Sequence, residues 1–160
     1  MLCRELDTPI GPLLLVGDAH ALQRIDFVHG RRATITPPSS PRDDVFVDVV
    51  SQLAEYFEGR RRTFKLSLAP AGTSFQQRVW RALLDIAYGQ TISYGELAER
   101  IGQPTASRAV GLANGSNPIP IVIPCHRVIG ANGRLTGYGG GLPIKQRLLA
   151  LEQGTGSLLD

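Results

Sequence analysis

The sequence has few cysteines, no long apolar run and almost no lysine. Two cysteines, Cys3 and Cys125, in 160 residues are too few for a disulfide-stapled secreted scaffold. They are also too few for a structural zinc site, which needs about four Cys or His ligands. No apolar stretch approaches the roughly 18 residues of a membrane span, so no membrane association is expected. The first residues lack a basic segment followed by an apolar one, so no secretory signal is expected and the location is read as cytoplasmic. No internal repeat is present, which excludes solenoid architectures. The 42% hydrophobic and 19% charged composition supports a packed core and excludes global disorder.

Charge and glycine are distributed unevenly. Of the 17 basic residues, 15 are arginine; residues 1–74 are electrically neutral, and the whole +3 excess falls in residues 75–160. An arginine-biased excess in one half is compatible with phosphate binding, although an ordinary mildly basic surface would read the same way. Thirteen of the 18 glycines also fall after residue 74.

The first half reads as scaffold. Pro12–Gly17 and Leu22–Val28 are β-rich runs joined by a Gly-Asp-Ala-His turn. Residues 29–44 are polar and proline-rich, which predicts a mobile surface loop. Val49, Val50, Leu53 and Phe57 fall at helical spacing in Phe46–Phe57, and Gly59 ends that helix. Phe64, Leu66 and Leu68 alternate as in a strand, and Ala69–Thr73 reads as a linker. The second half reads as helices joined by tight turns. Ser74 to Gln77 fits a capping box opening a helix to about Ala87, and Ser93 to Glu96 fits a second, opening a helix to Ile101. Gly102–Thr105 is a turn, and Ala106–Ala113 a further short helix, which together give a helix-turn-helix pattern. Pro143 can begin a last helix, Ile144–Gln153, with Leu148, Leu149 and Leu151 inward and Gly154 as terminator. The expected fold class is therefore an α/β N-terminal domain, a small antiparallel sheet with a helix, over residues 1–72. A mainly α C-terminal domain with a helix-turn-helix would follow over 73–160.

Asn117–Gly130 carries the chemistry. Its three prolines alternate with β-branched residues, which predicts an extended, rigid backbone running through the interior before it presents Cys125. A thiolate is a strong nucleophile and a thiol a weak one, so activation needs a base and a positive environment. His126 and Arg127 supply both types. On an extended strand, however, neighbouring side chains point to opposite faces, so adjacency alone does not establish contact, and a buried inert Cys beside a satisfied His is the commoner fate of such a pair.

The string Ile123-Pro-Cys-His-Arg-Val128 resembles the signature of the O6-alkylguanine-DNA alkyltransferases. Further segments match that family in order and spacing: Ser74–Trp80, Tyr88-Gly89, Ser93–Ala98, Ser107–Gly111, Asn117-Pro118 and Gly137–Gly141. The likeness is strong over about residues 73–153 and weaker over the first 70, where Asp7–Gly11 carries it.

The resemblance implies irreversible, single-turnover transfer of an alkyl group from O6 of a flipped guanine in DNA to Cys125, without a cofactor. O4-alkylthymine is an alternative substrate. His126 would act as base through a water and Glu152 would orient it. A carboxylate at a helix C-terminus opposes the macrodipole, a small hint that Glu152 serves another purpose. Tyr94 would press on the target phosphate and protonate the guanine ring. Asn117 would tie the recognition helix to the active-site loop. Thr105, Ala106, Ser107, Arg108 and Gly111 would meet the minor groove of double-stranded DNA, with Arg108 filling the space of the flipped base. The carbonyls of Cys125 and Val128 would receive the guanine amine, and Tyr138, Gly139 and Gly140 would form the opposite wall. A monomer is implied, with cooperative binding along DNA left open. This chain departs from some relatives in two ways. Position 139 is Gly rather than Ser. Cys3, His20 and His29 also do not fall where those relatives hold zinc, so no metal is expected. The rival readings are a helix-turn-helix regulator with an inert cysteine, a Cys-His-Glu hydrolase with multiple turnover, and a DNA-binding relative without transfer activity.

Overall fold

The structure is a computed structural model describing residues 1–28 and 40–154. Most of the proposed polar loop, 29–39, lies outside the described residues. Three antiparallel strands, β1 (Leu2–Leu6), β2 (Leu13–Gly17) and β3 (Leu22–Phe27), form a sheet in the order β1-β2-β3. β2 is the central strand and is buried throughout, as its unbroken Leu-Leu-Leu-Val run requires. β1 was not anticipated. Its Cys3-Arg-Glu core has no apolar alternation, and pairing alone defines it, with Cys3 opposite Val16 and Leu6 opposite Leu13. Arg4 donates to the Val45 carbonyl at 3.1 Å, which ties this edge to the segment leading into α1 (Val47–Phe57).

The predicted strand at Phe64–Leu68 does not form a ladder. The segment makes a single parallel bridge, Leu22 to Leu68, and uses its alternating side chains to pack on the core instead. Apolar alternation fixes a buried face, but a ladder also requires a partner strand with free backbone groups.

α2 (Ser74–Leu83), α3 (Tyr94–Arg100) and α4 (Ser107–Gly115) pack together, α3 and α4 forming the helix-turn-helix. The N-cap of α2 is Thr73, one residue earlier than expected, with Gln76 completing the box. Thr73 and Ser74 are both competent caps with a glutamine three residues on, so the sequence leaves the register open. Side-chain bonding closes it: Gln77 Nε2 donates to the Pro70 carbonyl at 2.6 Å, and a Cβ on Gly72 would lie 2.4 Å from the Trp80 ring. That ring is buried and anchored by its Nε1–H donating to the Ala113 carbonyl at 2.8 Å. α2 also ends at Leu83 rather than near Ala87. Ser93 caps α3 as expected, accepting from the Glu96 N–H at 3.1 Å.

The Asn117–Gly130 segment is buried but not extended. Ile123 N–H donates to the Ile119 carbonyl at 2.9 Å, reversing the chain. Ile121 sits at φ 74°, a left-handed conformation that a β-branched residue adopts only when its surroundings impose it. Cys125–Arg127 forms one turn of 3₁₀ helix, followed by β5 (Val128–Ile129), which pairs in parallel with β4 (Ile92–Ser93). α5 (Leu142–Glu152) closes the fold, with Leu148, Leu149 and Leu151 buried.

The two halves share a continuous core. Ile25 N–H of β3 donates to the Pro118 carbonyl at 2.9 Å, and Phe27 packs edge-on against Tyr138 with centroids 5.5 Å apart. The sheet therefore backs the loop that carries Cys125. Among the described residues no helix is long and apolar enough to cross a membrane.

Candidate functional site

The 3₁₀ turn at Cys125–Arg127 removes the geometric objection raised by an extended strand. Successive side chains on such a turn diverge by about 120° rather than 180°, so one short segment can point three groups at three tasks. Cys125 lines a cavity of about 850 Å³ between β3, α4 and the Thr136–Gly139 loop. His126 is fully buried behind it. Arg127 reaches away to α5 and to the carbonyl of Ile86, to which its Nη1 donates at 2.7 Å.

His126 and Arg127 converge on Glu152, the last residue of α5. Its Oε2 lies 2.7 Å from His126 Nε2, and its Oε1 accepts from Arg127 Nε at 2.7 Å. Arg127 Nη2 donates to Oε2 at 3.1 Å. Burial alone would push this carboxyl up. The His126 hydrogen bond and the Arg127 guanidinium together outweigh burial and hold it at about 2. Glu152 is therefore ionised at neutral pH and accepts from both partners, and the unfavourable helix-end position is offset by Arg127.

An ionised acceptor at Nε2 assigns the His126 proton to that nitrogen and leaves the lone pair on Nδ1. Nδ1 is buried and has no hydrogen-bond partner among the described residues. Burial lowers the His126 pKa; Glu152 opposes this, while Arg127 and Lys145 add to it. The imidazole is neutral at pH 7 and available as a base. Burial pushes the Cys125 thiol up, with the Asn117 amide and the Lys145 charge pulling the other way. The resting sulfur is therefore a thiol whose proton must be removed when it reacts.

Asn117 holds the loop from two sides. Its Nδ2 donates to the Ile123 carbonyl at 2.8 Å and its Oδ1 accepts from Ile119 N–H at 3.0 Å. Tyr94, at the start of α3, lines the cavity and its hydroxyl hydrogen-bonds that of Thr136. Of the residues expected to meet DNA, Tyr94, Ser107, Arg108 and Gly111 line the cavity, Arg108 being exposed. Gly111 faces the Tyr94 ring, where a Cβ would sit 3.6 Å away. Thr105 is exposed on the preceding turn, and Ala106 packs partly on the core. Tyr138 and Gly139 form the opposite wall. Val128 is fully buried and Gly140 abuts Phe27, and neither lines the cavity. Nothing lies within 4 Å of a Cβ built on Gly139.

Residues 74–154 match the family described as 6-O-methylguanine DNA methyltransferase, DNA binding domain, and residues 1–70 match its ribonuclease-like domain. The chain belongs to the 6-O-methylguanine DNA methyltransferase family. A methylated-DNA–protein-cysteine methyltransferase of Methanosarcina acetivorans is 52% identical over 147 residues, covering 91% of this chain and 94% of that protein. One of Mycobacterium leprae is 52% identical over 151 residues, covering 94% and 92%. The crystal structure of Mycobacterium tuberculosis OGT in complex with DNA superposes with a TM-score of 0.92 at 49% identity over the whole of both chains. The O6-methylguanine-DNA methyltransferase of Pyrococcus kodakaraensis gives 0.74 at 25% identity, covering 94% of this chain and 97% of that one. Family membership makes this chain a DNA-binding methyltransferase with a protein cysteine as acceptor.

Several residues around the site were not singled out from the sequence. Lys145 is fully buried in α5; its Nζ donates to the carbonyls of Val128 at 2.7 Å and Thr136 at 3.1 Å. It thereby ties β5 to the Thr136–Gly139 loop. Asn114 Nδ2 donates to the Cys125 carbonyl at 3.4 Å. Phe27 comes from the scaffold sheet. A lone lysine among leucines in the α5 pattern was the signal for Lys145. The others carry none, because their neighbours are distant in sequence. Among the described residues no three His, Cys, Asp or Glu side chains gather as a metal site would require; His29 lies outside them.

Proposed function

We propose that this protein repairs O6-alkylguanine in double-stranded DNA by moving the alkyl group irreversibly onto Cys125, once per molecule. The observation that carries the reading is the thiol in the cavity wall with the ordered His126–Glu152–Arg127 set behind it. His126 Nδ1 takes the Cys125 proton through a water. The sulfur lone pair forms the C–S bond while the C–O6 electron pair returns to guanine, which accepts a proton from the Tyr94 hydroxyl. Glu152 stays ionised and stabilises the imidazolium, the role of the orienting acid in hydrolytic triads. The thioether is a poor leaving group, so the acceptor is consumed.

A base in the duplex must leave the stack to reach the cavity. In this reading Thr105, Ala106, Ser107, Arg108 and Gly111 lie along the minor groove, and Arg108 occupies the vacated space. In the resting protein the Cys125 carbonyl accepts from Val128 N–H and Asn114 Nδ2, and the Val128 carbonyl from Lys145 Nζ; in this reading the guanine amine shares or displaces these donors. Residues 73–160 carry the chemistry and 1–72 support it. The protein acts as a monomer in the cytoplasm, where the thiols of Cys3 and Cys125 suit a reducing compartment.

The deciding experiment is incubation with duplex DNA bearing one O6-methylguanine, followed by intact-protein mass and peptide mapping. One methyl on Cys125, at one equivalent and no more, is the expected result. Repeated turnover, or unmodified protein, would exclude the reading. Arg108→Ala should slow duplex repair by roughly ten- to a hundredfold, the cost of supporting one unstacked base. Its reaction with free O6-benzylguanine should be nearly unchanged, and equal losses on both substrates would remove Arg108 from the flipping role. The open space at Gly139 predicts that Gly139→Ser changes unfolding free energy by no more than about 0.5 kcal/mol. The added hydroxyl should speed methyl transfer by up to roughly tenfold through a hydrogen bond to O6; a slower single-turnover rate would argue against that contact.

A further inference from the structure

The buried Glu152 carboxylate has a donor that the reaction above does not use. Tyr56, in α1 of the N-terminal half, is fully buried, and its hydroxyl donates to Glu152 Oε2 at 2.5 Å. This is the same oxygen that His126 Nε2 engages at 2.7 Å. Burial first, then the Glu152 charge, raises the Tyr56 pKa well above its ordinary value, so the hydroxyl is a permanent donor.

The ring does not depend on that hydrogen bond for its place. It packs edge-on against Phe57 and Tyr88, with centroids at 5.4 and 6.3 Å, and tilted against Phe64 at 5.5 Å. Packing alone would therefore be served by phenylalanine. A hydroxyl buried against a carboxylate already held by Arg127 has a different consequence. A third donor on the carboxylate lowers its proton affinity and weakens its hold on an imidazolium. It also fixes Oε2, and with it the plane of the His126 ring.

We propose that Tyr56 is a positioning residue of the alkyl-transfer site: its hydroxyl orients Glu152 Oε2 and tempers the basicity that Glu152 confers on His126. The scaffold half thus contributes one polar group to the proton path, 96 residues from the glutamate it contacts. This inference rests on the His126 relay assigned above.

The groups that set the His126 titration are Glu152 and Lys145 from α5 and Arg127 from the 3₁₀ turn. Tyr88 and Tyr138 also feel the Glu152 charge. Tyr56→Phe leaves all of these in place. The test measures single-turnover methyl transfer to Cys125 from pH 5 to 9 for the unmodified protein and Tyr56→Phe. Removing the hydroxyl leaves more of the carboxylate's charge to the imidazole, so the acid limb of the variant should move to higher pH. Its plateau rate should fall by roughly tenfold or less, short of the 10²–10⁴ that a positioned base supplies. A variant that unfolds more easily yet keeps the parent pH profile would reduce Tyr56 to packing and overturn the inference. A parent protein that transfers no methyl would instead defeat the function itself. A second measurement needs no variant: in the intact protein the Tyr56 hydroxyl proton should resonate far downfield and exchange slowly with solvent. A Tyr56 hydroxyl proton in rapid exchange would equally overturn the proposal.

Discussion

Cys125→Ser should abolish methyl transfer while leaving duplex binding intact. The replacement keeps the shape of the turn and offers a hydroxyl where the thiol stood, so the cavity, α4 and the Asn117 contacts persist. What changes is the nucleophile. Displacement at a saturated carbon favours a soft, polarizable sulfur, and a serine hydroxyl is far harder to ionise than even the raised Cys125 thiol. A neutral imidazole of lowered basicity cannot generate an alkoxide. Binding to O6-methylguanine duplex, measured by anisotropy, should stay within about threefold of the parent, and stability within about 1 kcal/mol. Intact mass after prolonged incubation should show no added methyl. A methylated serine variant, or methylation of Cys3, would displace Cys125 from the reaction.

The same pair of cysteines shows how much of the site was legible in the sequence. The resemblance selected Cys125, His126 and Glu152, and the structure brings His126 and Glu152 into contact and places Cys125 in the cavity wall. The residue physics alone stopped at an adjacent Cys and His, because the prolines suggested an extended backbone. The turn that resolves the matter depends on tertiary packing, seen in the left-handed Ile121. The helices were read well where apolar periodicity and a single competent cap coincided, as at Ser93. They were misread by one residue where two caps competed, and the Gln77 side chain, bonded to the Pro70 carbonyl rather than back to Ser74, decides between them. β1 escaped notice because an edge strand can take its register from its neighbour rather than from its own pattern. Tyr56 and Lys145 escaped for the opposite reason: each fits its helix's core stripe as a large side chain, and the polar tip finds its partner only in the folded chain.

Glu152→Gln should damage both stability and chemistry, and the two losses should respond differently to pH. The carboxyl titrates at about 2 in the folded protein against an ordinary 4.5. A depressed carboxyl contributes stability that is fully present above 4.5 and is lost as pH falls toward 2. Here the contribution is about 3 kcal/mol at neutral pH. Removing the charge also leaves the buried Arg127 guanidinium without its counter-ion, which places the expected loss at about 3–5 kcal/mol. Denaturant unfolding should show that deficit at pH 7 and a smaller one at pH 3, because the parent loses stability over this interval through Glu152 and the variant does not. His126 declines in parent and variant alike: its pKa is lowered on folding, chiefly by burial, so its contribution is present above 6.5 and fades below in both. The chemical loss has a separate cause. A glutamine amide that turns its oxygen to the three donors at the Oε2 position still accepts from Nε2, but it carries no charge to stabilise the imidazolium that forms. Methyl transfer should fall by roughly 10²–10⁴-fold at pH values where the variant remains folded. Equal stability of parent and variant at pH 7 would show that Glu152 is not the counter-ion of Arg127. Parent-like transfer by a folded variant would show that His126 does not rely on the Glu152 charge.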